Sequence, residues 1–145
     1  MVEASCHCGA VHLTLAQAPS EVTDCNCSLC RRYGVRWAYY QLAQVQVHAD
    51  APTDTYQWGD KHIMFHRCHV CGSVTHWASA DPARDRTGIN ARLLPPEVLA
   101  QARVRWLDGA DTWTYLDEAP SPPATPRSTL MMASSHAQEE APDAT

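Results

Sequence analysis

Every cysteine in this chain falls in one of three short clusters: "SCHCG" holds Cys6 and Cys8, "CNCSLC" holds Cys25, Cys27 and Cys30, and "CHVCG" holds Cys68 and Cys71. Cysteines one or two residues apart and followed by glycine make knuckles. A tight turn aims both sulfurs at one ion, and glycine supplies the positive φ that such a turn often needs. Seven sulfurs cannot all pair as disulfides. The N-terminus shows no charged stretch leading into an apolar run, so no secretion signal is read there. Cysteine-rich chains outside the secretory route point to metal or redox chemistry.

Ligand counting divides the set. A closed structural zinc takes four protein ligands, whereas three ligands and an open position mark catalytic zinc. Two knuckles of two sulfurs complete one tetrahedron from Cys6, Cys8, Cys68 and Cys71, leaving Cys25, Cys27 and Cys30 as a three-thiolate set. Joining the first and last clusters also closes about 60 residues of chain, a span over which a staple constrains the unfolded state strongly. Spacing alone leaves other partitions open. It also leaves open whether the triad is an open site or a second closed one, completed by one of eight histidines. His7 and His69 lie inside knuckles and are expected to point outward; His62, His66 and His76 lie in strand-like stretches.

Zinc-bound thiolates are deprotonated, so a four-thiolate site carries two net negative charges and a three-thiolate site one. Two such sites move the formal charge from −5 to about −8. Arg31, Arg32 and Arg36 follow the triad and offset its charge. Arg31 and Arg32 are candidate receivers of a substrate carboxylate, alongside the plain reading of surface charge.

The elements that must hold these residues read mostly with period two. "AVHLTLA" alternates Val11, Leu13 and Leu15 against His12 and Thr14, a half-buried strand. "VRWAYYQL", "VQVHA", "TDTYQWG", "HIMFHRC", "SVTHWA" and "ARVRWL" continue in β-branched and aromatic style, with turns at Gly59-Asp60 and in "DGAD". "INARLL" alternates less cleanly. Helical signals are two: "SLCRRYG", with Ser28 as an N-cap and Gly34 as a stop, and "PPEVLAQA", with proline in the first turn and Glu97 at the positive end. The expectation is a mainly β, twisted antiparallel fold with one or two short helices.

At 145 residues and 45% hydrophobic, the chain suits one domain with a modest core. Residues 1–118 are assigned to it. Residues 119–145 hold five of the ten prolines among Ala, Ser, Thr and acidic residues, and are expected to be a disordered tail. The acidic balance and scattered basic residues argue against nucleic acid. No stretch reaches the roughly 18 apolar residues of a membrane span. The expected setting is cytoplasmic.

"SCHCGAVHLTL", "CNCSLCRRYG", "HRCHVCGSVTHW" and "VRWLDGADTW", in that order and spacing, resemble the glutathione-dependent formaldehyde-activating enzyme (GFA) family over roughly residues 3 to 115. The combined CxC, CxCxxC and CxxCG pattern is specific, where any one piece is weak. The resemblance implies an Mss4-like fold with two zinc ions per chain. One is structural, on Cys6, Cys8, Cys68 and Cys71. The other is catalytic, on Cys25, Cys27 and Cys30. It further implies a carbon–sulfur lyase that condenses glutathione, or a similar small thiol, with formaldehyde or a related aldehyde. The chain is short between the triad and the last knuckle, so glutathione-binding elements of larger members are expected to be missing. The competing reading is a non-enzymatic zinc module of the same fold that binds a protein partner; a free coordination position at the triad separates the two.

Overall fold

The computed structural model describes residues 1–120, so the expected tail lies outside it except for exposed Ala119 and Pro120. The strands are β1 (Val2–Ser5), β2 (Val11–Leu15), β3 (Glu21–Cys25), β4 (Trp37–Tyr40), β5 (Val45–Ala49), β6 (Asp54–Tyr56), β7 (Ile63–Arg67), β8 (Val74–Ser79), β9 (Thr87–Asn90), β10 (Arg103–Leu107) and β11 (Tyr115–Leu116). Two short helices, α1 (Cys30–Tyr33) and α2 (Pro96–Leu99), interrupt them. The fold is mainly β, as its alternating sequence predicts. Among the described residues no helix is long and apolar enough to cross a membrane.

The strands form a small sheet in the order β1-β2-β5 and a large one in the order β11-β10-β3-β4-β9-β8-β7-β6. Pairing is antiparallel except between β3 and β10, which run parallel with Glu21 opposite Arg103 and Cys25 opposite Leu107. The main core joins both sheets: Leu13 and Leu15 from β2 meet Val22, Ala38 and Ile89 from the large sheet. Leu13, Leu15 and Ile89 are fully buried. Burying side chains of this size contributes about 1.5–3 kcal/mol each.

Three elements escape the alternation signal. β1 and β11 are short, and β3 reads "EVTDC", with its buried Val22, Thr23 and Cys25 breaking strict alternation. "INARLL" is half strand and half 3-10 turn: β9 ends at Asn90, whose side chain accepts the Arg92 N–H and turns the chain. The first helix also starts later than its sequence suggests. Its N-cap is Leu29, without a side-chain cap. The Cys30 N–H instead faces Cys27 Sγ at 3.4 Å, so sulfur occupies the role expected of the Ser28 hydroxyl. Gly34 stops the helix as expected, in the left-handed region at φ 64°.

Candidate metal centres and the adjoining cavity

The two outer clusters are the tips of two hairpins. Cys6 and Cys8 lie between β1 and β2, Cys68 and Cys71 between β7 and β8. Both tips close alike: Gly9 N–H donates to the Cys6 carbonyl at 3.1 Å and Gly72 N–H to the Cys68 carbonyl at 2.9 Å. Both glycines have positive φ, 82° and 74°, as the knuckle pattern requires. The tips meet so that all four sulfurs lie within 4.8 Å of one another. Cys8 Sγ is 3.6 Å from both Cys6 Sγ and Cys68 Sγ. That is far outside disulfide bonding and close to the edge, about 3.8 Å, of a tetrahedron with 2.3 Å zinc–sulfur bonds. Val11 N–H reaches Cys6 Sγ at 3.3 Å. The Ser73 hydroxyl, then its N–H, draw the Cys71 thiol down to about 5, toward the thiolate a metal needs. The donor set fits a closed zinc site.

The triad forms locally. β3 delivers Cys25, the following turn Cys27, and the first residue of α1 Cys30. All three are buried and their sulfurs also lie within 4.8 Å of one another; among the described residues no histidine joins them. N–H donors reach their sulfurs. Trp37 Nε1 donates to Cys30 Sγ at 3.2 Å, and Cys27 N–H faces Cys25 Sγ at 3.5 Å. A hydrogen bond from Cys30, with N–H donors of Cys27 and Gly109, draws the Cys25 thiol down to about 6 against the cost of burial. The same contact, with burial, pushes Cys30 well above the ordinary thiol range. Three converging sulfurs with N–H donors aimed at them fit a zinc with one position left free.

Residues outside the cysteine motif hold this set in place, and sequence reasoning missed them. Asn26, between two ligands, donates to Asp108 Oδ1 at 3.0 Å and accepts the Ala110 N–H at 2.9 Å. It ties the triad to the turn after β10. In that turn Gly109 packs so closely that an added Cβ would sit 2.5 Å from Cys25 Sγ. "DGAD" is legible as a turn, but nothing in its composition says what it covers.

Beside the triad lies a cavity of about 370 Å³. Its inner wall is apolar, with Trp37, Phe65 and Trp77 packed in one cluster with the three cysteines. Gly88 makes room for the Trp77 indole, since a Cβ there would lie 2.0 Å from Nε1. Asp60, His62, Arg84 and Arg86 supply charged or titratable groups, and Trp58 and Trp113 also line it.

The expected basic residues are placed differently from these. Arg31 and Arg32 are exposed on α1 and do not line the cavity, and Arg32 Nη1 donates to the Ser28 carbonyl at 2.7 Å. Arg36 pairs with Asp24 at 2.9 Å. The arginines lining the cavity are Arg84 and Arg86, some 50 residues after the triad in a loop that carries no motif. Of the histidines, His7 and His69 are exposed as expected, and His69 Nδ1 lies 3.1 Å from Asp54. His66 and His76 stack at 4.3 Å across the β7–β8 pair.

Comparison with known proteins agrees with the geometry. Residues 1–111 match the family model described as glutathione-dependent formaldehyde-activating enzyme. A crystal structure of a Rhodobacter sphaeroides protein is similar at 29% identity and a TM-score of 0.57, covering 70% of this chain and 98% of that one. No curated protein matches significantly.

Proposed function

The chain belongs to the glutathione-dependent formaldehyde-activating enzyme family, and from that premise we propose that it is a zinc-dependent carbon–sulfur lyase joining a small thiol such as glutathione to formaldehyde or a related aldehyde. One observation carries the reading: three buried sulfurs without a fourth side-chain ligand among the described residues border a cavity of about 370 Å³. A module that only binds a protein partner has no use for such a cavity beside an incomplete donor set.

In this reading Cys6, Cys8, Cys68 and Cys71 hold a structural zinc, and Cys25, Cys27 and Cys30 hold the catalytic one. Zinc held by Cys25, Cys27 and Cys30 would supply the positive charge that lowers the pKa of an entering thiol toward neutrality. The chain's own residues do the rest. N–H donors from Trp37, Cys27 and Cys30 reach the sulfurs of Cys30, Cys25 and Cys27 and orient them toward one point. Trp37, Phe65 and Trp77 exclude water from the reacting sulfur, which strengthens charge interactions there. His62 Nε2, 3.7 Å from Asp60 Oδ2, supplies the imidazole that carries the thiol proton toward the new hydroxyl. Holding sulfur and aldehyde together in one cavity contributes by proximity, and no change of oxidation state is involved.

Exchange NMR between ¹³C-formaldehyde and its glutathione adduct tests this. The zinc-loaded protein is expected to accelerate exchange above the spontaneous rate, and Cys27→Ser to abolish the acceleration. Zinc-edge X-ray absorption is expected to show an added sulfur ligand when glutathione is mixed in. A triad zinc indifferent to thiols, with no rate acceleration, would falsify the lyase reading.

A further inference from the structure

Two features of the cavity bear on what the aldehyde carries besides its carbonyl group. Formaldehyde has two heavy atoms, so nearly all of the cavity of about 370 Å³ is left to the thiol and to any substituent on the aldehyde. Tryptophans also stand on two separate loops that line it. Trp58 is 39% exposed on the turn between β6 and β7, and Trp113 is 65% exposed on the turn between β10 and β11. Large aromatic side chains left in water beside a cavity mark a place where an apolar ligand is covered.

The backbone under both is unusual. Trp113 has φ 56°, in the left-handed region where a bulky residue is an outlier. It is held there because its N–H donates to the Asp108 carbonyl at 2.7 Å, while Asp108 Oδ2 accepts the Thr112 hydroxyl at 2.9 Å. The Trp58 turn likewise contains left-handed Gly59 and Lys61, at φ 61° and 59°, and closes with Lys61 N–H on the Trp58 carbonyl at 3.1 Å. Backbone strain retained at a cavity lip by fixed hydrogen bonds is a mark of a functional position.

Charge adds the other half. Arg84 and Arg86 line the same cavity, and among the described residues neither forms an ion pair. Asp85, between them, is turned away to accept the Leu42 N–H at 2.8 Å. Arg86 is held with its guanidinium 4.3 Å over the Tyr39 ring, which fixes it without using its donors. The carboxylate in the lining, Asp60, is engaged by the backbone N–H of His62 at 3.1 Å.

We propose that the cavity takes a carboxylate-bearing thiol whose aldehyde partner is apolar and of aromatic size, with Trp58 and Trp113 clamping the ring and Arg84 and Arg86 receiving the carboxylate. The proposal rests on the triad as the place where thiol sulfur enters. The step is balanced without further reagents. The thiol sulfur bonds to the carbonyl carbon, the carbonyl π pair moves to oxygen, and that oxygen takes the thiol proton.

Calorimetric titration of the zinc-loaded chain with S-benzylglutathione and S-methylglutathione tests the inference apart from turnover, because neither thioether carries a thiol to react. S-benzylglutathione is expected to bind at least about tenfold more tightly. The double variant Trp58→Ala/Trp113→Ala is expected to lose that preference while keeping wild-type zinc content. Arg84→Gln/Arg86→Gln is expected to weaken both ligands alike and to flatten their salt dependence. Equal affinities in the wild type, or a preference that survives without both tryptophans, would overturn the proposal. Exchange NMR with glutathione and either formaldehyde or benzaldehyde reads the lyase activity separately. Acceleration with formaldehyde but no benzyl preference removes the aromatic substrate alone. A benzyl preference without acceleration supports the aromatic pocket and removes the lyase reading.

Discussion

The two cysteine clusters use the same chemistry to opposite ends. The four-cysteine cluster joins hairpin tips from different sheets, across 60 residues between Cys8 and Cys68. The triad spans only residues 25 to 30, at the end of one strand and the start of one helix. Exposure does not tell them apart in the expected way, since Cys8 is exposed in the first and all three sulfurs of the second are buried. Reach along the chain and the space beside the sulfurs do. A metal that bridges distant segments removes much unfolded-chain entropy, whereas a local one removes little but can leave a face open to a ligand.

The largest expected effect breaks the bridging cluster. Cys68→Ser is expected to abolish cooperative thermal unfolding and leave the chain insoluble, because structural zinc contributes folding free energy outright. A variant with near-native melting would erase the contrast between the clusters. Cys27→Ser is expected to take zinc from about two per chain to about one with the fold intact. Gly109→Ala sharpens the same point from outside the motif. Its Cβ would meet Cys25 Sγ at 2.5 Å, so loss of triad zinc and a destabilisation of about 1–3 kcal/mol are expected. Zinc analysis alongside chemical denaturation reads both quantities.

A smaller effect tests the hairpin that the two regions share. β7 and β8 carry Cys68 and Cys71 at their tip and supply Phe65 and Trp77 to the triad's apolar cluster. Between them His66 and His76 stack within 8° of parallel. Burial, and then the neighbouring His66, hold His76 down to about 4 against an ordinary 6.5. The unfolded chain therefore takes the proton first. Stability is full above pH 6.5 and falls as the pH drops toward 4, by about 1.4 kcal/mol at pH 5.5. Wild type is expected to lose that much more than His76→Gln between pH 7.5 and 5.5. Equal losses would mean that His76 does not carry the acid sensitivity.

The smallest effect on stability is close to neutral. Trp113→Gly removes a left-handed tryptophan worth about 1 kcal/mol of strain and adds glycine entropy of similar size. Melting at or slightly above wild type is expected, with loss of S-benzylglutathione preference. A fall of several degrees would show that Trp113 serves the fold.

Much of this was legible in the residues. The 2-3-2 grouping of the cysteines, and the glycines after the outer pairs, pointed to two donor sets, because a knuckle is a local turn whose geometry follows from its own few residues, while the meeting of the two hairpin tips singled out this partition among those the spacing left open. The long alternating strands were legible for the same reason. β3 was not, since a strand enclosed on both sides loses the polar face that makes alternation visible. The parallel pairing of β3 with β10 brings Asn26 to Asp108 and Gly109 to Cys25, contacts across more than 80 residues. Arg84 and Arg86 reach the cavity by the same kind of long-range placement, while Arg31 and Arg32, adjacent in sequence, turn to solvent. The sequence by itself determined which atoms can bind metal, because ligand type and local turn geometry are properties of short segments. Only the tertiary structure decided which cluster closes and which faces a cavity, because those depend on what distant strands bring alongside.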